Sequence, residues 1–131
     1  MSPGKAIIVV VEDDAGLNQA LARLLEAAGF SPAMFESAEA LLAADTAASA
    51  DCLVLDLHLP GMSGVQLHDK LKEISPPPPC IVITAYDDAA TRRGIKGIGA
   101  AAVLIKPFKG QALVSAVQKV LGRSASGPIA D

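Results

Sequence analysis

The sequence predicts an α/β fold in which five β–α units form one doubly wound parallel sheet covered by helices on both faces. Short runs of Val, Ile and Leu alternate along the chain with longer segments of helical periodicity. The runs are apolar throughout, which is typical of parallel strands buried on both faces. At 131 residues the chain has the length of one domain, and its hydrophobic fraction of 51% indicates a folded protein.

The first two units are predicted in residues 6–45. An apolar strand at about 6–11 is followed by a helix from residue 15 that ends at Gly29, a residue suited to a helix C-terminus. A weaker strand at 32–35 leads to a second helix at 37–45, with its first residue, a serine, as the N-cap. The apolar face of the first helix consists of Leu17, Leu21, Leu24, Leu25 and Ala28.

The third unit has a strand at 51–57 that ends in a carboxylate, Asp56. Burying an unpaired carboxylate is costly, so Asp56 is expected to have a partner, a metal or a chemical role. Ser63 is the expected N-cap of the following helix at 63–74, and the four prolines at 76–79 stop that helix. Its apolar face is predicted to be Leu67, Leu71 and Ile74.

The last two units begin with strands at 80–85 and 101–105. The helix between them, at 87–99, is predicted to be weak because it contains several glycines. The segment 106–122 closes the fold as a helix that ends at a glycine, and residues 123–131 are interpreted as a tail or a truncated linker. The apolar face of this helix consists of Leu113, Val117, Val120 and Leu121.

Charge and cysteine usage narrow the functional classes. The net charge is −3, so the chain lacks the excess of Lys and Arg that is typical of nucleic-acid-binding proteins. Cys52 and Cys80 lie in apolar runs and are expected to be buried free thiols in a reducing compartment. The apolar runs are too short for a membrane span, and the N-terminus lacks a signal-peptide layout, so the expected location is the cytoplasm, without membrane contact.

Polar residues follow four of the five predicted strands. The first strand ends at Glu12 and Asp13, the third at Asp56, the fourth at Thr84 and the fifth at Lys106. Because the functional crevice of a parallel α/β sheet lies at the carboxyl ends of its strands, we expect these side chains to converge. Taken singly, each is more often a solvated loop, strand or surface residue, so the prediction depends on the joint pattern.

The joint pattern indicates phosphoryl chemistry. Neighbouring carboxylates repel one another unless a cation compensates, and an oxygen-only cluster suits Mg²⁺, which usually takes one or two carboxylates together with a phosphate. Lys106 and Thr84 offer a positive charge and a hydroxyl donor for phosphoryl oxygens. Asp56 is the best candidate for a carboxylate nucleophile that forms an acyl phosphate.

The segments "VEDD", "LVLDLHLPGMSG", "VITAY" and "LIKPF" resemble, in order and spacing, those of the receiver domain of bacterial two-component response regulators. The resemblance covers about residues 5–122 and is greatest to receivers that precede a helix-turn-helix output domain. It implies a flavodoxin-like sheet with strand order 2-1-3-4-5. It also implies that the chain is a phosphorylation-controlled switch rather than a turnover enzyme.

The same resemblance implies a role for each candidate residue. Asp56 would be the phosphoacceptor, and Thr84 and Lys106 would contact the phosphoryl group. Glu12, Asp13, Asp56 and the backbone carbonyl of His58 would bind Mg²⁺. The phosphodonor would be a sensor histidine kinase or a phosphotransfer protein. A homodimer through the fourth helix, fifth strand and fifth helix is expected as one possible output.

One position departs from the family pattern. Receivers usually carry Tyr or Phe where this chain has Val103, and that aromatic ring takes part in the usual switch. We therefore expect altered output coupling, with Tyr86 as a candidate replacement for the mobile aromatic residue. His58 and Tyr86 occupy places that influence attack by water in this family, so a bulky Tyr86 is expected to lengthen the lifetime of the phosphoryl group.

The sequence leaves alternative interpretations open. The chain is either a complete single-domain regulator or the receiver part of a transcription regulator, and no DNA-binding domain is expected within it. A phosphate-independent interaction module with a receiver fold is the main alternative function. An aspartyl-phosphate hydrolase is disfavoured because His58, rather than a second aspartate, follows Asp56 at the second position. A flavin binder is disfavoured by the aromatic content of 3%.

Overall fold

The computed structural model describes residues 4–44 and 46–122, which contain five strands alternating with five α-helices and a short 3-10 helix (Ala47–Ser49) before the third strand. The proposed tail at 123–131 and the last residue of the predicted second helix lie outside the described residues. The strands are β1 (Ile7–Val11), β2 (Ser31–Phe35), β3 (Cys52–Asp56), β4 (Cys80–Thr84) and β5 (Ala102–Ile105). The helices are α1 (Ala15–Ala27), α2 (Ala38–Ala44), α3 (Gly64–Ile74), α4 (Ala89–Ile98) and α5 (Gly110–Val120).

The five strands form one parallel sheet in the order β2-β1-β3-β4-β5, which confirms the predicted fold and strand order. The register brings the carboxyl ends of the central strands level with one another. Val11 of β1 pairs with Leu55 of β3, and Thr84 of β4 pairs with Ile105 of β5. The residues that follow these strands therefore meet at one edge of the sheet, as the site requires.

Two apolar cores lie on opposite faces of the sheet because successive side chains of a strand point to opposite sides. One core contains Val9, Leu53 and Val82 and packs against α2, α3 and α4. The other contains Val10, Val54 and Ile81 and packs against α1 and α5. The strands β3 and β4 are buried along their whole length, which explains their continuous apolar sequences.

The predicted helix ends agree with the capping residues. Ser63 caps α3 in a full capping box with Gln66, and the Ser37 hydroxyl accepts a hydrogen bond from the Ala40 N–H at the start of α2. Gly29 lies one residue past the C-cap of α1 and has a φ of 94°, a conformation that glycine adopts at little cost.

Three details of the helices differ from the predictions. Ile74 was assigned to the buried face of α3, but it is the last residue of that helix and its exposure is 66%. Ala28 lies beyond the last turn of α1 and is exposed. The last helix begins at Gly110 rather than at Lys106, because residues 106–109 cross the carboxyl edge of the sheet before the helix starts.

Two further observations complete the description of the fold. Cys52 and Cys80 are buried free cysteines, as predicted, and burial raises the pKa of each thiol to about 12. Such thiols are poor nucleophiles at neutral pH. Across the described residues, no helix has both the length and the apolar character required to traverse a bilayer.

Candidate functional site

The site lies at the carboxyl edge of the sheet, and its centre is the Asp56 carboxylate at the end of β3. Asp56 is buried, and its Oδ1 accepts a hydrogen bond from the N–H of His58 at 2.9 Å. Its Oδ2 accepts a hydrogen bond from the Lys106 ammonium group at 2.7 Å. The Asp56 carboxylate, for which a partner was expected, therefore accepts hydrogen bonds from two groups. One is the backbone of His58 after β3, and the other is the side chain of Lys106 after β5.

Lys106 links two acidic residues. Its Nζ lies 2.7 Å from Asp56 Oδ2 and 2.8 Å from Glu12 Oε1. Burial alone would lower the pKa of Lys106, but its hydrogen bonds with Asp56 and Glu12 outweigh burial and raise the pKa. Lys106 is therefore a partly buried cation paired with two carboxylates, with 22% of its side chain exposed, rather than a free surface lysine.

Glu12 is fully buried directly after β1. Its Oε2 accepts a hydrogen bond from the Asp14 N–H at 3.0 Å. Burial raises the pKa of Glu12; the Lys106 and Asp14 contacts oppose that rise, and the nearby Asp56 charge adds to it. The Lys106 and Asp14 contacts therefore offset part of the cost of burying the Glu12 carboxylate.

Glu12, Asp13 and Asp56 form a cluster of carboxylates, each offering one oxygen within 4.8 Å of the others. Asp13 is the exposed member, so the cluster opens to solvent on its side. With all three ionised and Lys106 protonated, the four side chains carry a formal charge of −2. Oxygen donors around a double negative charge match the coordination chemistry of one divalent hard cation such as Mg²⁺.

Thr84 lies at the end of β4, next to Asp56, and is completely buried. Its hydroxyl group hydrogen-bonds the backbone of Tyr86, accepting from the N–H at 3.1 Å and donating to the carbonyl at 3.4 Å. The structure therefore brings Thr84 to the predicted edge, and its hydroxyl is bonded to the β4–α4 loop.

The loop after β3 is shaped by close backbone packing. Gly61 has a φ of 74°, which favours glycine at this turn, and the Gly64 N–H donates to the Leu57 carbonyl at 3.1 Å. The Glu39 carboxylate on α2 accepts a hydrogen bond from the Met62 N–H at 2.9 Å. These contacts define the path of the chain past Asp56 and leave the His58 side chain exposed.

Two rings meet between the loops that follow β3 and β4. The His58 and Tyr86 rings make an edge contact with centroids 4.4 Å apart and an interplanar angle of 68°. The His58 Nε2 lies 3.4 Å from the Thr91 hydroxyl oxygen on α4. Val103, where receivers usually have an aromatic residue, lies on β5 with 40% exposure.

Asn18 is a site-supporting residue that the sequence interpretation missed. It is buried on α1, and its Nδ2 donates to the backbone carbonyls of Glu12 at 3.0 Å and Phe35 at 3.2 Å. The available signal was a polar residue one turn before Leu21 on the apolar face of α1. Thr91 was also missed, because it is one ordinary polar residue among several in a weakly predicted helix.

The parallel sheet and the buried acid–lysine cluster at its carboxyl edge define a class of phosphate-related signalling domain. The chain belongs to the response regulator receiver domain family, whose family model matches residues 8–118. It is therefore a receiver domain of the kind found in two-component response regulators, and the resemblance stated from the sequence is confirmed.

Two curated relatives of this chain are longer proteins, and the chain matches half or slightly more of each. Nodulation protein W of Bradyrhizobium diazoefficiens is 40% identical over 114 residues, which cover 86% of this chain and 50% of the relative. The transcriptional regulatory protein FixJ of Azorhizobium caulinodans is 35% identical over 123 residues, which cover 94% of this chain and 58% of the relative. The chain therefore spans only part of these relatives.

Solved structures agree with the family assignment. The response regulator StyR superposes with a TM-score of 0.80 at 39% identity, covering 91% of this chain and 60% of StyR. A response regulator receiver protein from Burkholderia phymatum superposes with a TM-score of 0.79 at 36% identity, covering 92% of this chain and 98% of that protein.

Proposed function

We propose that this receiver domain accepts a phosphoryl group on Asp56 and thereby acts as a phosphorylation-controlled switch in a two-component phosphorelay. The observation that carries the proposal is the buried Asp56 carboxylate, bonded to Lys106 and adjacent to Glu12. The proposed donor is a phosphohistidine on a sensor histidine kinase or a phosphotransfer protein. The phosphoryl group on Asp56 is the signal that the domain carries, so the domain is proposed to be a switch and not a turnover enzyme.

The acceptor step is a displacement at phosphorus. One Asp56 carboxylate oxygen attacks, an oxygen–phosphorus bond forms, and the phosphorus–nitrogen bond to the donor histidine breaks with its electron pair returning to the imidazole. Lys106, already 2.7 Å from the carboxylate, then pairs with a phosphoryl oxygen. The His58 N–H keeps the other carboxylate oxygen oriented during the attack.

Magnesium fits the donor set at this edge. Glu12, Asp13 and Asp56, together with the backbone carbonyl of His58, would hold the ion, and the first three already lie within 4.8 Å of one another. When bound, Mg²⁺ would neutralise the negative charge that develops on the transferring group. The buried Glu12 fixes one side of this site, because its backbone is held by Asn18 and its side chain by Asp14 and Lys106.

The switch is proposed to begin at Thr84. To donate to a phosphoryl oxygen, the Thr84 hydroxyl must give up the hydrogen bond that it donates to the Tyr86 carbonyl at 3.4 Å. The β4–α4 loop would then lose one of its attachments and change the surface formed by α4, β5 and α5. Val103 and Ile105 are exposed on that surface, and a homodimer through it is one proposed output.

The whole-protein context is also a proposal. The receiver domain is proposed to occupy residues 5–122, and residues 123–131 to be a tail or a linker. Relatives such as FixJ are transcriptional regulatory proteins, and this chain spans 58% of one of them. We propose that the domain works in the cytoplasm, either as a single-domain regulator or as the receiver part of a transcription regulator. In neither case is the described domain proposed to bind nucleic acid itself.

Intact mass spectrometry tests the acceptor chemistry directly. The protein is incubated with acetyl phosphate and Mg²⁺ beside an Asp56→Asn control and an EDTA control. A gain of about 80 Da, one phosphoryl group, is expected only with both Asp56 and Mg²⁺ present. A gain that persists in Asp56→Asn would refute the assignment of the acceptor.

A phosphate-independent interaction module is the second candidate, because Val103 stands where the switch aromatic is usual. No mass gain under conditions that label a control receiver would favour this module. The two functions also differ in a second measurement, since only the switch predicts that phosphorylation changes the backbone chemical shifts of β5 and α4.

A further inference from the structure

A chain of side-chain contacts connects the acceptor site to helix α4. It starts at His58, whose N–H donates to Asp56 and whose ring contacts Tyr86 with centroids 4.4 Å apart. The ring nitrogen Nε2 lies 3.4 Å from the hydroxyl oxygen of Thr91. Thr91 is a buried residue in the first turn of α4, although its partner His58 is exposed.

The N-terminus of α4 fixes the position of Thr91. Asp88, the N-cap of α4, accepts a hydrogen bond from the Thr91 N–H at 2.7 Å. This bond holds the first turn of the helix, and with it the Thr91 hydroxyl, beside the His58 ring. The hydroxyl can donate to Nε2 or accept from it, according to which ring nitrogen carries the proton.

These contacts hold the His58 and Tyr86 rings at a junction between two loops. Asp56, the last residue of β3, precedes His58 by two residues, and Thr84, the last residue of β4, precedes Tyr86 by two residues. The touching rings therefore span the gap between the chain segments that carry the acceptor and the hydroxyl proposed to contact the phosphoryl group. Tyr86 is 53% exposed, and its ring packs against the edge of the His58 ring.

We infer that Thr91 is a positioning residue for the phosphorylated site: its hydroxyl fixes the His58 ring against Tyr86, and the fixed ring pair slows attack of water on the phosphoryl group. The inference rests on the proposed acceptor function of Asp56. It assigns to α4 a direct part in setting how long the signal lasts. Thr91 itself does not touch the reacting atoms and acts through His58.

The kinetic test uses Thr91→Val, which keeps the side-chain shape and removes the hydroxyl, with Thr91→Ser as the conservative rescue. Thr46→Val, at the opposite end of the sheet before β3, is the matched control. Each variant is phosphorylated with acetyl phosphate and Mg²⁺, desalted, and followed by intact mass as the phosphoryl group is lost. We expect Thr91→Val to lose it about threefold to tenfold faster, the effect on a rate of removing one net hydrogen bond. Thr91→Ser and Thr46→Val are expected to behave as wild type.

The His58→Ala background separates positioning from a structural role. If Thr91 acts through the His58 ring, Thr91→Val causes no further acceleration once that ring is absent. An unchanged decay rate in Thr91→Val, or an equal acceleration with and without the ring, would overturn the inference while leaving the acceptor function intact. A wild-type protein that gains no phosphoryl group would overturn both.

Discussion

The packing of Gly64 against the backbone after β3 predicts opposite effects for two glycine-to-alanine substitutions. A Cβ built on Gly64 would lie 2.6 Å from the Asp56 carbonyl oxygen and 2.9 Å from the Leu57 Cα. Ordinary contacts between carbon atoms lie at about 3.5–4.0 Å, so the overlap with Leu57 approaches ~1 Å. Both neighbours are backbone atoms and cannot rotate away, so the backbone at the end of β3 and the start of the next loop must move.

Gly97 provides the matched control. It is an exposed residue inside α4, and among the described residues no atom lies within 4 Å of a Cβ built on it. Alanine there gains helix propensity and meets no obstacle. We expect Gly97→Ala to stabilise the fold by about 0.5–1 kcal/mol.

Gly64→Ala is expected to destabilise the fold by about 1–3 kcal/mol, the usual cost of overpacking a rigid site. In urea denaturation this corresponds to a fall in the midpoint of about 1 M. Because the displaced atoms belong to Asp56 and Leu57, phosphorylation by acetyl phosphate should also slow in Gly64→Ala and stay normal in Gly97→Ala. If Gly64→Ala unfolded at the wild-type midpoint and accepted phosphate at the wild-type rate, the loop would be adaptable and the reasoning wrong.

Three further substitutions test the electrostatics and capping of the fold by urea denaturation. Lys106→Met leaves the Glu12 and Asp56 carboxylates facing each other without a cation. It should lower the free energy of unfolding by about 2–3 kcal/mol at pH 7 in EDTA. The loss is smaller than for a fully buried ion pair because Lys106 is partly exposed. Because the pKa of Glu12 is raised, Glu12 should take up a proton as the pH falls to 5, and the stability lost in Lys106→Met should become smaller. An equal loss of stability at pH 7 and pH 5 would contradict repulsion between the two carboxylates as its cause. Burial lowers the pKa of His68, so the unfolded chain binds a proton below about pH 6.5 before the folded chain does, and stability should decrease on acidification. His68→Met should flatten the fall in midpoint between pH 7.5 and 5.5, and an unchanged slope would exclude His68 as a cause. Asp88→Ala removes the cap of α4 and should lower the urea midpoint, whereas Asp88→Ser should keep the midpoint near that of wild type; equal losses would argue against the capping role.

The fold was predictable because its signals are local. Strands β3 and β4 are apolar on both faces, and the glycine and serine residues at helix ends act within a few residues of their own positions. The helix ends that depend on packing were less predictable: Ile74 has helical spacing with Leu71, but α3 ends there and leaves it exposed. The periodicity of a sequence predicts which face of a helix a side chain occupies, but it does not predict whether the rest of the fold covers that position.

The convergence of the candidate residues was predictable for a different reason. Parallel strands bring their carboxyl ends to one edge, so the positions of Glu12, Asp56 and Lys106 in the sequence were sufficient to place them together. The contacts of Asn18 and Thr91 were not predictable in this way. Each depends on the rotation and height of a helix against the sheet, which the spacing of residues along the chain does not specify.

The two sides of the site differ in how firmly the fold holds them. Asp56 belongs to a central strand whose five residues are all buried, whereas Lys106 follows an edge strand with half of its residues exposed. Hydrogen exchange should therefore be slowest in β3 and measurably faster in β5, since local opening favours elements with few buried contacts. Fluctuations can then carry the lysine away from the carboxylate while the carboxylate stays in place. A fixed acceptor beside a movable cation lets the edge of the sheet respond to a new charge without disturbing the centre on which folding depends.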